Sequence, residues 1–217
     1  MRPARKVAGA SCWTLTVVYF AIQPLVAAAW EVPSYDFSYN TISDLGVTEC
    51  GSYLQLDERV VDVCSPRHAL MNTTFVLVGL LTAAGAVLAR AAWPRRRVAS
   101  VGLAFILLSG VGAILVGLAP ANVNIGVHAV GAVLQVPGAV GPLLLGVAVW
   151  GTQRRLAVFS LGCGAVGSAA CLAYFGQIYL GLGPGGMERV AFDPLTVWKV
   201  AVGALLLWRW LAGRRSY

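Results

Sequence analysis

Apolar residues fall into six long runs, 7–30, 67–92, 98–119, 126–150, 156–180 and 195–212, separated by polar or basic breaks. Each run is long enough, at about 1.5 Å per helical residue, to cross a hydrocarbon layer of about 30 Å. The pattern predicts an all-α fold: a polytopic six-transmembrane-helix bundle forming a single domain over 1–217. The breaks are short except the first, 31–66, which is long and polar and is expected to fold over the bundle as an extracytoplasmic lid.

Local signals mark the ends of the runs. Ser65-Pro66 and Asp193-Pro194 each read as an N-cap followed by a first helical residue, opening the second and sixth helices. Pro24 should kink or end the first helix, Pro120 stops the third, and Pro137 with Pro142 bends the fourth. Gly110, Gly112 and Gly117 allow close helix approach in the third. A basic start followed by an apolar run and Ala27-Ala28-Ala29 also fits a cleavable leader, but the run is longer than a leader needs, which favours an uncleaved helix.

With 58% hydrophobic and 12% charged residues, the chain has too few charges to cover a soluble globule. Its partner is the lipid bilayer. The net charge of +7 comes from clusters between apolar runs and no recognition motif accompanies it, so nucleic acid is not a partner. Counting six helices with both termini cytoplasmic puts twelve of the sixteen basic residues inside, and all nine acidic residues on the other face. Arg59, Arg67, Arg189 and Lys199 are the basic residues expected on that outer face. This is the asymmetry of the positive-inside rule. Seven of the acidic residues lie between 31 and 62.

Cys12, Cys163 and Cys171 lie in apolar runs, whereas Cys50 and Cys64 share the polar segment. In an oxidising compartment the latter two could close a loop as a disulfide, the alternative being two free thiols. Gly162-Cys-Gly164-Ala-Val-Gly167 matches a dinucleotide-binding fingerprint but sits inside an apolar run with no preceding strand, so it reads as helix packing. Asn72-Thr73-Thr74 matches a glycosylation sequon but falls within the second helix.

The candidate chemistry collects at the outer face. His68 and His128, the only histidines, open the second and fourth helices, with Asn72 four residues after one and Asn124 four before the other. Asp193, with Glu188 and Arg189 just before it, places polar groups at a third helix start, and three helix N-termini together favour an anion. From the lid, Ser38, Asn40, Ser43 and Asp44 are the residues expected to close over that site. Ser43 or Asp44 serving only as an N-cap is the structural alternative.

The stretch YDFSYNTISDLG after a first span, followed by a histidine at the start of the second, resembles the bacterial membrane family known as domain of unknown function 998. Ser38, Asn40, Ser43, Asp44, Leu45, Gly46 and His68 carry the likeness. It implies a multi-span bacterial membrane protein with no settled activity, and the expected location is the plasma membrane. Ser43, Asp44 and His68 also show a looser similarity to the membrane hydrolases that include alkaline ceramidases, where a serine, an aspartate and three histidines surround zinc. The paired histidines of their last helix are absent here.

Several functions follow from these residues. One is an outer-leaflet enzyme acting on a lipid or isoprenoid, with His68 and His128 as ligands of a divalent metal such as zinc or as general acid and base, and Asp44 or Asp193 orienting them. Another is a small-molecule transporter or binding protein using the bent fourth helix with Gln135 and Gln177. Haem held by the two histidines is a third, and a structural subunit without a catalytic site a fourth.

Overall fold

The computed structural model describes residues 3–55 and 58–214. Arg2, Asp57 and Arg215, counted in the charge pattern above, lie outside them. The helices are α1 (Pro3–Leu15), α2 (Val18–Ala27), α3 (His68–Leu88), α4 (Arg97–Leu118), α5 (Ile125–Val149), α6 (Arg154–Phe175) and α7 (Gly183–Arg214). Taken with its short continuation after a break, α1 and α2 form one span, so six helical segments are long and apolar enough to cross a membrane.

The helices close into a ring: α1 packs on α3, each later helix packs on the next, and α7 returns to α1. Small residues set the spacing. A methyl on Gly79 of α3 would lie 2.6 Å from the Gly110 carbonyl oxygen of α4, and one on Gly110 would lie 2.7 Å from that of Gly79. Only glycine lets these backbones meet, the packing mode expected where apolar solvent gives helices little hydrophobic reason to associate.

Three expectations about helix ends need correction. The first helix breaks at Thr16 and Val17 rather than at Pro24, which lies inside α2. Thr16 donates its hydroxyl to the Trp13 carbonyl at 2.6 Å and the local bonds tighten to a three-residue spacing, diverting the backbone from its regular ladder. Ser65 does not cap α3, which begins at His68; its hydroxyl donates instead to the Leu45 carbonyl at 2.7 Å. Nor does Asp193-Pro194 open the last helix. That helix starts at Gly183 with Pro184 in its first turn, where a missing N–H costs nothing, and Pro194 lies within it.

The segment between α2 and α3 is not purely irregular. It contains a 3₁₀ turn, Ser43–Gly46, and a hairpin of β1 (Gly51–Leu54) and β2 (Val60–Val63) paired antiparallel, Gly51 opposite Val63 and Leu54 opposite Val60. Cys50 and Cys64, one step beyond that ladder, are joined in a disulfide. Strand β2 alternates exposed and buried positions, so Val61 and Val63 point inward with Ile42, Leu45 and Val47 onto Val26, Met71 and Phe75 of the helices. Each such buried side chain contributes about 1.5–3 kcal/mol. The polar segment therefore has an apolar underside fused to the bundle.

Candidate functional site

Three anchors fix the segment that carries Ser43. The first is a turn in which the Asp36 carboxylate accepts the N–H groups of Ser38 at 2.8 Å and Tyr39 at 3.3 Å, which holds that carboxyl below its usual range. The second is the start of α7. The Ser38 carbonyl accepts N–H groups from Gly185 and Gly186, and Arg189 donates to the carbonyls of Phe37 at 2.9 Å and Asn40 at 3.2 Å and to the Tyr35 hydroxyl. Glu188 accepts the N–H of Ile42. The third is α3, where the Asn72 amide donates to the Gly46 carbonyl at 2.8 Å. The second anchor requires Gly185, because a methyl there would fall on the Asn40 carbonyl.

Held in this way, the Ser43 hydroxyl lies 3.0 Å from Nε2 of His128, a buried residue 85 positions later in the first turn of α5. The other ring nitrogen, Nδ1, lies 2.9 Å from the carbonyl oxygen of Ala119. A carbonyl only accepts, so in the neutral ring Nδ1 carries the hydrogen and Nε2 is the acceptor that takes the Ser43 O–H. The pair has the geometry of an activated nucleophile: serine, base, and a fixed group orienting the base.

Asp44 is not that orienting group. Its Oδ2 accepts the Thr41 N–H at 2.8 Å and its Oδ1 the Gln55 amide at 3.1 Å, so it locks the turn. Burial pushes its carboxyl above the ordinary range while those donors pull the other way.

Two cavities meet at Ser43. The larger, about 290 Å³, lies beneath the hairpin between the start of α5 and the end of α6 and is lined by Ser43, Asp44, Gln55, His128, Gln177 and aromatic side chains. The smaller, about 70 Å³, lies deeper and is lined by Thr82, Ser109, Gln135, Thr196 and Lys199. Ser43, Ala132, Glu188 and Phe192 line both.

The structure brings together only part of the predicted set. Ser43, Asp44, His128 and Glu188 share the larger cavity. His68 does not line it; its Nδ1 lies 2.9 Å from the Ser65 carbonyl oxygen and the side chain is half-buried in the first turn of α3. Asn124 caps α5 by accepting the Val127 N–H, Asn72 pins Gly46, and Ser38 and Asn40 act through their backbone carbonyls. Asp193 lies eleven positions into α7, so it completes no third helix start, and it lines neither cavity that meets Ser43.

A zinc or haem site needs donors that converge. Both nitrogens of His128 are engaged by protein groups, His68 faces elsewhere, and among the described residues no group of three or more His, Cys, Asp or Glu side chains could hold a metal ion. The donor set does not fit either group.

Two participants escaped the sequence reading. The Ala119 carbonyl is a backbone atom with no sequence signal. Lys199, expected on the outer side, is buried, because α7 begins eleven residues earlier than the Asp193-Pro194 signal implied and carries Lys199 into the bundle. A charge within an apolar run was the available clue.

No curated protein and no solved structure matches the chain. A family model does match, over residues 14–205, and the chain belongs to the family described as Protein of unknown function (DUF998).

Proposed function

We propose that the protein is a serine-dependent acyl hydrolase of a bacterial plasma membrane, with both termini cytoplasmic and the Ser43 site in the outer leaflet. The contact between Ser43 Oγ and His128 Nε2, with Nδ1 held by Ala119, carries this reading. The segregation of basic residues supports the orientation, as does a disulfide on the polar segment, since such bonds persist in oxidising compartments.

Ser43 Oγ forms a bond to an ester carbonyl carbon while its proton passes to His128 Nε2. Collapse of the tetrahedral adduct breaks the ester C–O bond, and His128 returns the proton to the departing alcohol oxygen. Acyl-Ser43 is then attacked by water, which gives its proton to His128. The resulting carboxylic acid leaves, and the proton on His128 returns to Ser43. The Ala119 carbonyl keeps the ring in the productive tautomer and steadies its charged form.

The cavity rim supports a lipid as substrate. Leu54, Ile125 and Phe175 line the cavity yet are 73%, 51% and 44% exposed. An apolar rim on a polar floor suits an amphiphile that slides in from the bilayer with its ester over Ser43.

A fluorescent fluorophosphonate applied to protein in detergent micelles tests the reading. Labelling is expected on Ser43 in the wild type and is lost in Ser43→Ala. Equal labelling of the two proteins, or none in either, would reduce the Ser43 to His128 contact to a pin that holds the polar segment in place.

A further inference from the structure

The inner cavity contains a feature the acyl-transfer reading leaves unused. Lys199 is only 3% exposed, and its ammonium donates to the Thr82 hydroxyl at 2.7 Å. It lies eleven residues beyond Glu188 on α7, about 16 Å deeper along the axis. An ammonium there needs all three of its N–H groups solvated. The cavity wall mixes apolar side chains such as Phe75 and Val78 with the hydroxyls of Thr82, Ser109 and Thr196 and the Gln135 amide, and a volume of about 70 Å³ exceeds the about 10–15 Å³ that a water needs. At the other end of this space stands Ser43.

Position gives such water a task. A lipid lying across the apolar rim would cover the outer approach to acyl-Ser43, leaving the inner side as the direction from which water can come. We infer that the inner cavity is a bound-water site, anchored by Lys199, which supplies the water that hydrolyses acyl-Ser43. This rests on the acyl-hydrolase reading and adds that the acyl acceptor is water delivered from within the bundle.

Lys6 and Lys199 are the only lysines, so Lys6→Arg protein labelled with ¹⁵N-lysine leaves Lys199 as the single ammonium signal. Water-edited solid-state NMR in lipid bilayers should show magnetisation passing from water to that Nζ; no transfer would overturn the inference. Ala113 lines the inner cavity and not the outer one, so Ala113→Leu should fill it. With a 4-nitrophenyl fatty-acid ester, this variant is expected to acylate within about twofold of the wild type and to deacylate at least about tenfold more slowly. An acyl adduct on Ser43 should then accumulate by intact-mass spectrometry. Lys199→Met, which keeps the volume and removes the anchor, should show the same split if Ala113→Leu does not fold. Unchanged deacylation in the folded variants overturns the inner-water proposal and leaves the serine hydrolase standing. No Ser43-dependent release of 4-nitrophenol by the wild type overturns both.

Discussion

Replacing His128 by Gln separates a base from a mere hydrogen-bond partner. Glutamine can still accept the Ser43 O–H, but it cannot hold the proton as the oxygen attacks, so the loss falls on the chemical step. General-base assistance is worth about 10²–10⁴-fold, or about 3–5 kcal/mol of transition-state stabilisation. The second-order rate constant for fluorophosphonate labelling of Ser43 should fall by that factor. Asp44→Asn provides the contrast. Asp44 makes its contacts to Thr41 and Gln55 and none to the imidazole, whose orientation comes from Ala119. Its replacement should slow labelling by less than about tenfold, the scale of one hydrogen bond at about 1 kcal/mol. If His128→Gln protein labels as fast as the wild type, the histidine is no base. If Asp44→Asn slows labelling as much as His128→Gln, the carboxylate and not the carbonyl orients the ring.

Other consequences follow from the anchors. Gly185→Ala would place a methyl on the Asn40 carbonyl and 2.8 Å from that of Phe37; it should lower stability by about 1–3 kcal/mol and slow Ser43 labelling on the order of a hundredfold through misplacement. Wild-type Tm and labelling together would refute the anchoring role of α7. Cys50→Ser with Cys64→Ser opens a loop of sequence separation 14, and denaturant titration should register a loss of about 3 kcal/mol. The Asp44 carboxyl titrates above its ordinary value in the fold and near about 3.9 in the unfolded chain. The native state therefore binds the extra proton between those values, and stability falls as pH rises through that window. The Tm of the wild type relative to Asp44→Asn should accordingly drop from about pH 4 upward and level off above the folded value; a gap in the wild type's favour that grows with pH would contradict this.

Much of the architecture was legible in the chain because membrane solvent enforces it. A run of apolar residues cannot leave backbone groups unpaired in hydrocarbon, so each run becomes a helix whatever its neighbours do. Six runs in the sequence correspond to six helical segments long and apolar enough to cross a membrane. The polar segment was equally visible as the one place where water-facing chemistry could be built, and Ser43, Asp44 and His128 were singled out within or beside it.

Their roles were not legible, because which polar group meets which is decided by helix packing. His68 and His128 look equivalent in sequence, each opening a helix, yet only His128 meets Ser43. The reason is that the 3₁₀ turn is pinned at Gly46 by Asn72 and at Ile42 by Glu188, and this aims Ser43 at α5. Asp193-Pro194 mimics a helix start, but a proline within a helix loses one bond while the turns on either side keep theirs, so packing overrides the local signal. The same shift buries Lys199 and moves a surface charge into the core. Periodicity and composition determined the spans. Only the closing of the ring, through contacts between residues far apart in the chain, assembled Ser43, His128 and the Ala119 carbonyl.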